Sequence, residues 1–173
     1  ALVDEATTME AAWTLVFAAA LSGVAGRPPS DHQIDAALQR MVEAVPCADS
    51  VHYVGSGTEA TFYSLRMARA LTGRNKVMKF EGAWHGMHDY GLWGTVPSVP
   101  SAYPHAKPDS VGVPPQAGDT VLVSPFNDAA AAVAMIDAHA HELAAVIVEP
   151  LQRVLLPAPG FLSALREATT RHG

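Results

Sequence analysis

Apolar residues along this chain change spacing several times, and each change falls at a chain breaker. Residues 11–21 are almost all apolar, the pattern of a helix buried on every side. Arg27-Pro28-Pro29-Ser30 ends that run, and Ser30 with Gln33 forms a capping-box pair opening a second helix with the stripe Ile34, Leu38, Met41, Val42 and Val45. Pro46 stops it. Val51-His52-Tyr53-Val54 is a short β-rich run that leads directly into Gly55-Ser56-Gly57-Thr58-Glu59, after which the period predicts a helix over 58–72. Ser56 and Glu59 supply a second capping box, Arg66 and Arg69 lie toward the negative end of that helix, and Gly73 stands just past it.

The second half alternates in the same way. Residues 76–80 read as a strand followed by Glu81-Gly82-Ala83-Trp84-His85-Gly86, and residues 120–123 as another. Asn127 and Asp128 can cap an Ala-rich helix running to Leu143, and residues 144–148 form a wholly apolar strand that ends in Glu149-Pro150. Pro159-Gly160 opens a last helix through Phe161, Leu162, Leu165 and Arg166. Between these elements residues 91–118 show no period and carry six prolines, the mark of a long loop and a candidate gate. Four strand candidates alternating with helices predict an α/β fold, a mostly parallel sheet with flanking helices, with functional groups at the carboxyl ends of the strands.

Composition narrows the class. With 49% hydrophobic residues in 173, the chain can bury a real core, and one domain or part of one is expected. The net charge of −6 includes no basic run, so a nucleic-acid partner is not expected. The single Cys47 excludes an internal disulfide and a multi-cysteine zinc site. The 11–21 run is too short to span a membrane, and Asp4, Glu5 and Glu10 precede it where a secretory signal needs positive charge. A cytoplasmic protein is the expectation.

The chemistry gathers in two segments. A glycine turn feeding a helix leaves backbone N–H groups beside the positive end of the helix dipole, an anion cup to which Thr58 adds a hydroxyl. The same turn has the GxGxxA spacing of a dinucleotide fingerprint in Gly55, Gly57 and Ala60, with Glu81 about where a ribose-binding acid belongs. Spacing leaves both ligands open. Trp84, in a short turn after a strand, offers an aromatic face on which a flat heteroaromatic ring could stack, or else a core side chain. His85, His88 and Asp89 lack further ligands, His139 and His141 face different ways on a helix, and no metal site is argued.

Taken together, Val54-Gly-Ser-Gly-Thr-Glu-Ala-Thr, Arg66-Met-Ala-Arg-Ala-Leu-Thr-Gly-Arg, Lys79-Phe-Glu-Gly-Ala-Trp-His-Gly, Phe126-Asn-Asp and Ala145-Val-Ile-Val-Glu-Pro resemble, in order and spacing, the class III aminotransferases of the fold type I pyridoxal-phosphate enzymes, nearest to the glutamate-1-semialdehyde aminomutase group. The resemblance covers residues 30–173 and implies part of a large cofactor domain, with residues 1–29 as a separate helical segment. It implies that Gly57 and Thr58, with Ser56 beside them, hold the phosphate of pyridoxal 5'-phosphate, that Trp84 stacks on its ring, that His85 supports this platform and that Glu149 is a hydrogen-bonding organiser. The Schiff-base lysine and the aspartate that pairs with the pyridine nitrogen are expected beyond Gly173, because Lys76, Lys79 and Lys107 match neither position; Lys76 and Lys79 are expected to be solvated or paired. Val154 departs from the polar residue the family often has there. The implied activity is amino transfer or aminomutation between a small-molecule amino donor and a carbonyl acceptor, in a homodimer. A dinucleotide-binding module and a non-catalytic fragment remain the alternatives.

Overall fold

The computed structural model describes residues 51–52, 54–96 and 101–173, with residues 39, 42 and 43 beside them. The predicted helix at 11–21 and the first capping box lie outside the described residues. Residues 39, 42 and 43 are helical, and residues 51, 52 and 54, where a strand was expected, carry no strand pairing. The chain divides into two compact units at Ser64/Leu65. In the first, helix α1 (Gly57–Thr72) begins at the glycine turn, and the edge of His52 meets the Tyr63 ring with centroids 6.0 Å apart.

The second unit is built on a parallel sheet. Strands β1 (Lys76–Phe80), β2 (Val121–Ser124) and β3 (Leu143–Val146) lie in the order β2-β1-β3, with Met78 opposite Leu122 on one side and Val146 on the other. Three more helices complete the described elements: the short α2 (Pro115–Gly118), α3 (Ala129–His139) and α4 (Phe161–His172). Because side chains alternate across a strand, the sheet has two differently covered faces. Met78, Phe80 and Leu122 pack with Ala132 and Ile136 of α3 and Phe161, Leu165 and Ala168 of α4. Phe80, Phe126 and Phe161 meet edge to face, with centroids 5.2 to 6.1 Å apart, which ties β1 to the segment after β2 and to the first turn of α4.

The other face carries Val77, Val121 and Val123, which cluster with Leu65, Leu92, Trp93 and Val113. Much of the predicted long loop is therefore a lid on the sheet's second face. Parallel strands need cover on both faces, and here irregular chain supplies it. The indole N–H of Trp93 donates to the Asp89 carbonyl at 2.7 Å, Val123 N donates to the Pro104 carbonyl at 2.8 Å, and a Cβ at Gly118 would collide with the Trp93 ring.

Strand β2 lies one residue later than the expected 120–123, and the boundaries of α3 and β3 also differ from expectation. The Ala-rich helix stops at His139, four residues short of Leu143, because Leu143 is needed opposite Lys76 in β3. A tight turn reverses the chain between them: Glu142 N donates to the His139 carbonyl, and the Glu142 carboxylate pairs with both the His139 ring and Lys76. Strand β3 accordingly starts one residue early and ends at Val146, although Ile147 N still reaches the Met78 carbonyl. The cap of α3 is as expected, Asp128 accepting from Ala131 N at 2.9 Å. No helix among the described residues is long and apolar enough to cross a membrane.

Candidate active site

In the first unit the glycine turn is fixed by its own side chains. Ser56 Oγ accepts from Glu59 N at 3.2 Å, and the Glu59 carboxylate reaches back to Gly55 N at 2.8 Å, a capping box whose return bond falls one residue before the cap. Ser56 and Gly57 are exposed, and a Cβ built on Gly57 meets nothing within 4 Å. The N-terminus of α1 is thus held in shape and left open, with glycine keeping space for an anion to approach the backbone.

In the second unit the turn after β1 sits at the carboxyl end of the sheet. Trp84 is 48% exposed, so it is not a core side chain. Its backbone is nevertheless fixed, because its N–H donates to the Glu149 carboxylate at 2.6 Å, and the other oxygen of that carboxylate accepts from Arg153 N at 3.2 Å. Glu149 follows β3, so the end of one strand organises the turn at the end of its neighbour. His85, next to Trp84, turns inward and is buried. Burial, helped by the nearby charges of Lys79 and His88, pushes its imidazole down to about 3, so it is a neutral ring under the turn.

The acid that a dinucleotide reading requires is already engaged. The two Glu81 oxygens accept from Ser101 N at 2.9 Å and from the Tyr103 hydroxyl at 2.6 Å. Burial acts to raise this carboxyl, but those hydrogen bonds outweigh it and hold it below the usual range. Burial and the same bond push Tyr103 up to about 12. Glu81 is a tether for residues 101–103, which removes the feature that favoured a ribose.

Gln152 and Arg153 escaped the reading of the sequence, and Lys79, expected to be solvated or paired, is neither, because the loop over its face of β1 buries it and offers it neutral acceptors. Lys79, on the loop-covered face of β1, is buried and uses all three of its ammonium donors: on the Gly91 carbonyl at 2.7 Å, the Trp93 carbonyl at 2.9 Å and Thr95 Oγ1 at 2.9 Å. Burial lowers it to about 8, and the charges of Asp109 and Glu149 limit the fall. The one available signal was a lysine between apolar residues, Met78 and Phe80, inside a strand. Gln152 and Arg153 hold the Trp84 turn and gave no signal at all. Lys76 is paired with Glu142 at 2.9 Å, as expected. Among the described residues no group of three or more His, Cys, Asp or Glu side chains could hold a metal ion.

Comparison with known proteins decides the family. The family model described as aminotransferase class-III matches residues 18–173. The chain belongs to the class III aminotransferase family. A glutamate-1-semialdehyde 2,1-aminomutase of Methanococcus maripaludis is 41% identical over 154 residues, 87% of this chain and 35% of that protein. The omega-transaminase of Sphaerobacter thermophilus superposes with a TM-score of 0.76 at 34% identity, covering 99% of this chain and 39% of that one. A glutamate-1-semialdehyde aminomutase variant from Pseudomonas aeruginosa, in complex with PMP, gives 0.55 at 34% identity over 67% of this chain and 25% of that one. The chain thus spans about a third of the length of the curated relatives it matches, and the α/β class expected from the sequence is the one the family has.

Proposed function

We propose that this class III chain forms part of the cofactor domain of a pyridoxal 5'-phosphate-dependent aminotransferase or aminomutase that acts on a small-molecule amino donor and a carbonyl acceptor. The observation that carries the reading is Trp84, an exposed indole on a turn that Glu149 fixes at a strand's carboxyl end. An unsupported exposed tryptophan would be a liability; one whose backbone is anchored is a platform for a flat ring. The open, glycine-lined N-terminus of α1 fits a phosphate equally well.

When bound, the cofactor supplies the electron sink that amino transfer requires. This chain's residues would bind and orient it. Ser56, Gly57 and Thr58 would hold the phosphate through backbone amides, the helix dipole and the hydroxyls. Trp84 would stack on the ring, the neutral His85 would support the turn from beneath without adding charge, and Glu149 would fix the angle of the platform. Residues 30–173 would be the part of the cofactor domain represented here, with residues 1–29 a separate segment, and the working protein a cytoplasmic homodimer. The lysine that carries the cofactor and the acid at its ring nitrogen would come from the part of the full-length relatives that this chain does not match: Lys76, Lys79 and Lys107 do not stand at the family's lysine position, Lys79 is fully engaged by carbonyl and hydroxyl acceptors, and Lys76 is ion-paired.

The test is made on the full-length protein carrying this chain. It should take up pyridoxal 5'-phosphate, convert an amino donor to its carbonyl product or isomerise an amino aldehyde, and, after borohydride reduction, carry label on a lysine outside this chain. Absence of both cofactor uptake and turnover would refute the activity. Stoichiometric label on Lys76, Lys79 or Lys107 would refute the placement of the lysine.

A further inference from the structure

The turn bearing Trp84 is gripped at three backbone points within residues 81–84 by one short segment. Gln152 Nε2 donates to the Glu81 carbonyl at 2.8 Å, Arg153 Nε donates to the Gly82 carbonyl at 2.9 Å, and Glu149 accepts from Trp84 N at 2.6 Å. Gln152 is buried, and a Cβ added to Gly82, whose φ is 85°, would stand 3.1 Å from the Gln152 amide, so the two segments are in close contact. Arg153 does more. Its Nη2 donates to the Thr95 carbonyl at 3.1 Å, which joins the turn to the loop that Lys79 anchors. Its backbone is left-handed, φ 55°, a conformation that disfavours a side chain. Reciprocal backbone hydrogen bonds between Gln152 and Leu155 close the tight turn that imposes it. A strained backbone kept at a residue whose side chain ties two other segments together points to a use for that side chain.

We infer that Gln152 and Arg153 are positioning residues for the Trp84 platform: they set the height and tilt of the indole by pinning the carbonyls on either side of Gly82, and Arg153 transmits the position of the 91–95 loop to it. The inference rests on the cofactor-platform reading of Trp84. It predicts that the pair controls cofactor retention although neither side chain need touch the cofactor.

The experiment uses the full-length protein stripped of cofactor. The Trp84 signal is taken as the difference between each protein and its Trp84→Phe counterpart, and acrylamide quenching of that signal is compared with the pyridoxal 5'-phosphate dissociation constant measured by equilibrium dialysis. Arg153→Gly is the informative variant, because glycine accepts the left-handed backbone without strain and so removes the staple while sparing the turn. Quenching of Trp84 should rise severalfold and cofactor affinity fall about two- to tenfold, the scale of a weakened stacking contact. Arg153→Lys should fall between, and Gln152→Ala should act in the same direction; these two carry the test if Arg153→Gly does not fold. Unchanged quenching in a folded variant overturns the staple. Raised quenching with unchanged affinity overturns its influence on the cofactor, and Trp84→Ala then separates the causes: if it weakens retention the platform stands without the staple's help, and if it does not, the platform reading itself has failed.

Discussion

Replacing Lys79 with methionine tests how the irregular cover of the sheet is held. The substitution keeps a long unbranched chain in the same space and removes three donors. Of the acceptors, the Gly91 carbonyl keeps the Thr95 hydroxyl at 3.0 Å, and that hydroxyl remains satisfied as a donor. The Trp93 carbonyl has no such second donor among the bonds described, and orphaning it costs about 1–3 kcal/mol. Opposing this, a lysine lowered from 10.5 to about 8 carries about 3 kcal/mol of penalty on its charged form, at about 1.4 kcal/mol per pH unit. At pH 7 the terms nearly cancel, and Lys79→Met should stay within about 2 kcal/mol of the parent.

The pH dependence should not cancel. Between about pH 8 and pH 10.5 the unfolded chain keeps a proton on this lysine that the folded protein has released, so folded stability rises with pH across that window. The parent should therefore gain about 3 kcal/mol relative to Lys79→Met on going from pH 7 to pH 10.5. Groups that titrate in both proteins drop out of the difference. Urea denaturation of the two full-length proteins at closely spaced pH values measures it. Parallel stability curves would refute the argument that this ammonium is buried at a cost.

Other outcomes follow from the same geometry. Trp84→Ala should weaken pyridoxal 5'-phosphate retention by about 0.5–1.5 kcal/mol beyond lost contact area; equal dissociation constants by dialysis would reduce the indole to a surface feature. Asp128→Ala removes the acceptor of the Ala131 amide and should cost about 1 kcal/mol in denaturant titration, with Asp128→Asn recovering most of it. His85, lowered from 6.5 to about 3, should stay neutral at pH 5 in ring-nitrogen NMR. Because its folded value is the lower one, its contribution is present above about pH 6.5 and is lost as pH falls toward 3; a ring that titrates near 6.5 would contradict its burial.

What was legible in the sequence divides by the kind of force involved. Strand β1 and the cap of α3 were read correctly because a short, mainly apolar run and an Asp before an Ala-rich run are local signals. The end of α3 was not, because residues 139–143 contain neither glycine nor proline and the stop is imposed by pairing of Leu143 with Lys76, sixty-seven positions away in sequence. The segment over 91–118 was read as a long loop for want of any period, and Trp93 and Val113 within it cover the sheet's second face. Periodicity reports regular elements, and a face covered by irregular chain leaves no period to find. At the candidate site the chemically conspicuous residues, Gly57 and Trp84, could be picked out, whereas Gln152 and Arg153 could not, because their part is to bind backbone carbonyls that any residue would offer.

That last distinction sets how substitutions in this region should be judged. Glu81, Lys79, Gln152 and Arg153 each give at least one polar atom to a backbone group of the irregular segments at 81–84, 91–95 and 101. A helix or strand satisfies its backbone by itself; these segments cannot, and buried N–H and C=O groups left unpaired cost as much as lost hydrogen bonds. The carboxyl edge of this sheet therefore keeps its shape through side chains rather than through secondary structure. A conservative exchange such as Lys79→Arg or Gln152→Glu keeps polarity but loses the match: the first puts a planar fork where a three-way ammonium fits, and the second replaces a donor with an acceptor opposite the Glu81 carbonyl. Such exchanges should perturb the Trp84 turn more than Lys79→Met perturbs overall stability, because shape at this edge depends on donor geometry and stability depends mainly on the apolar faces beneath it.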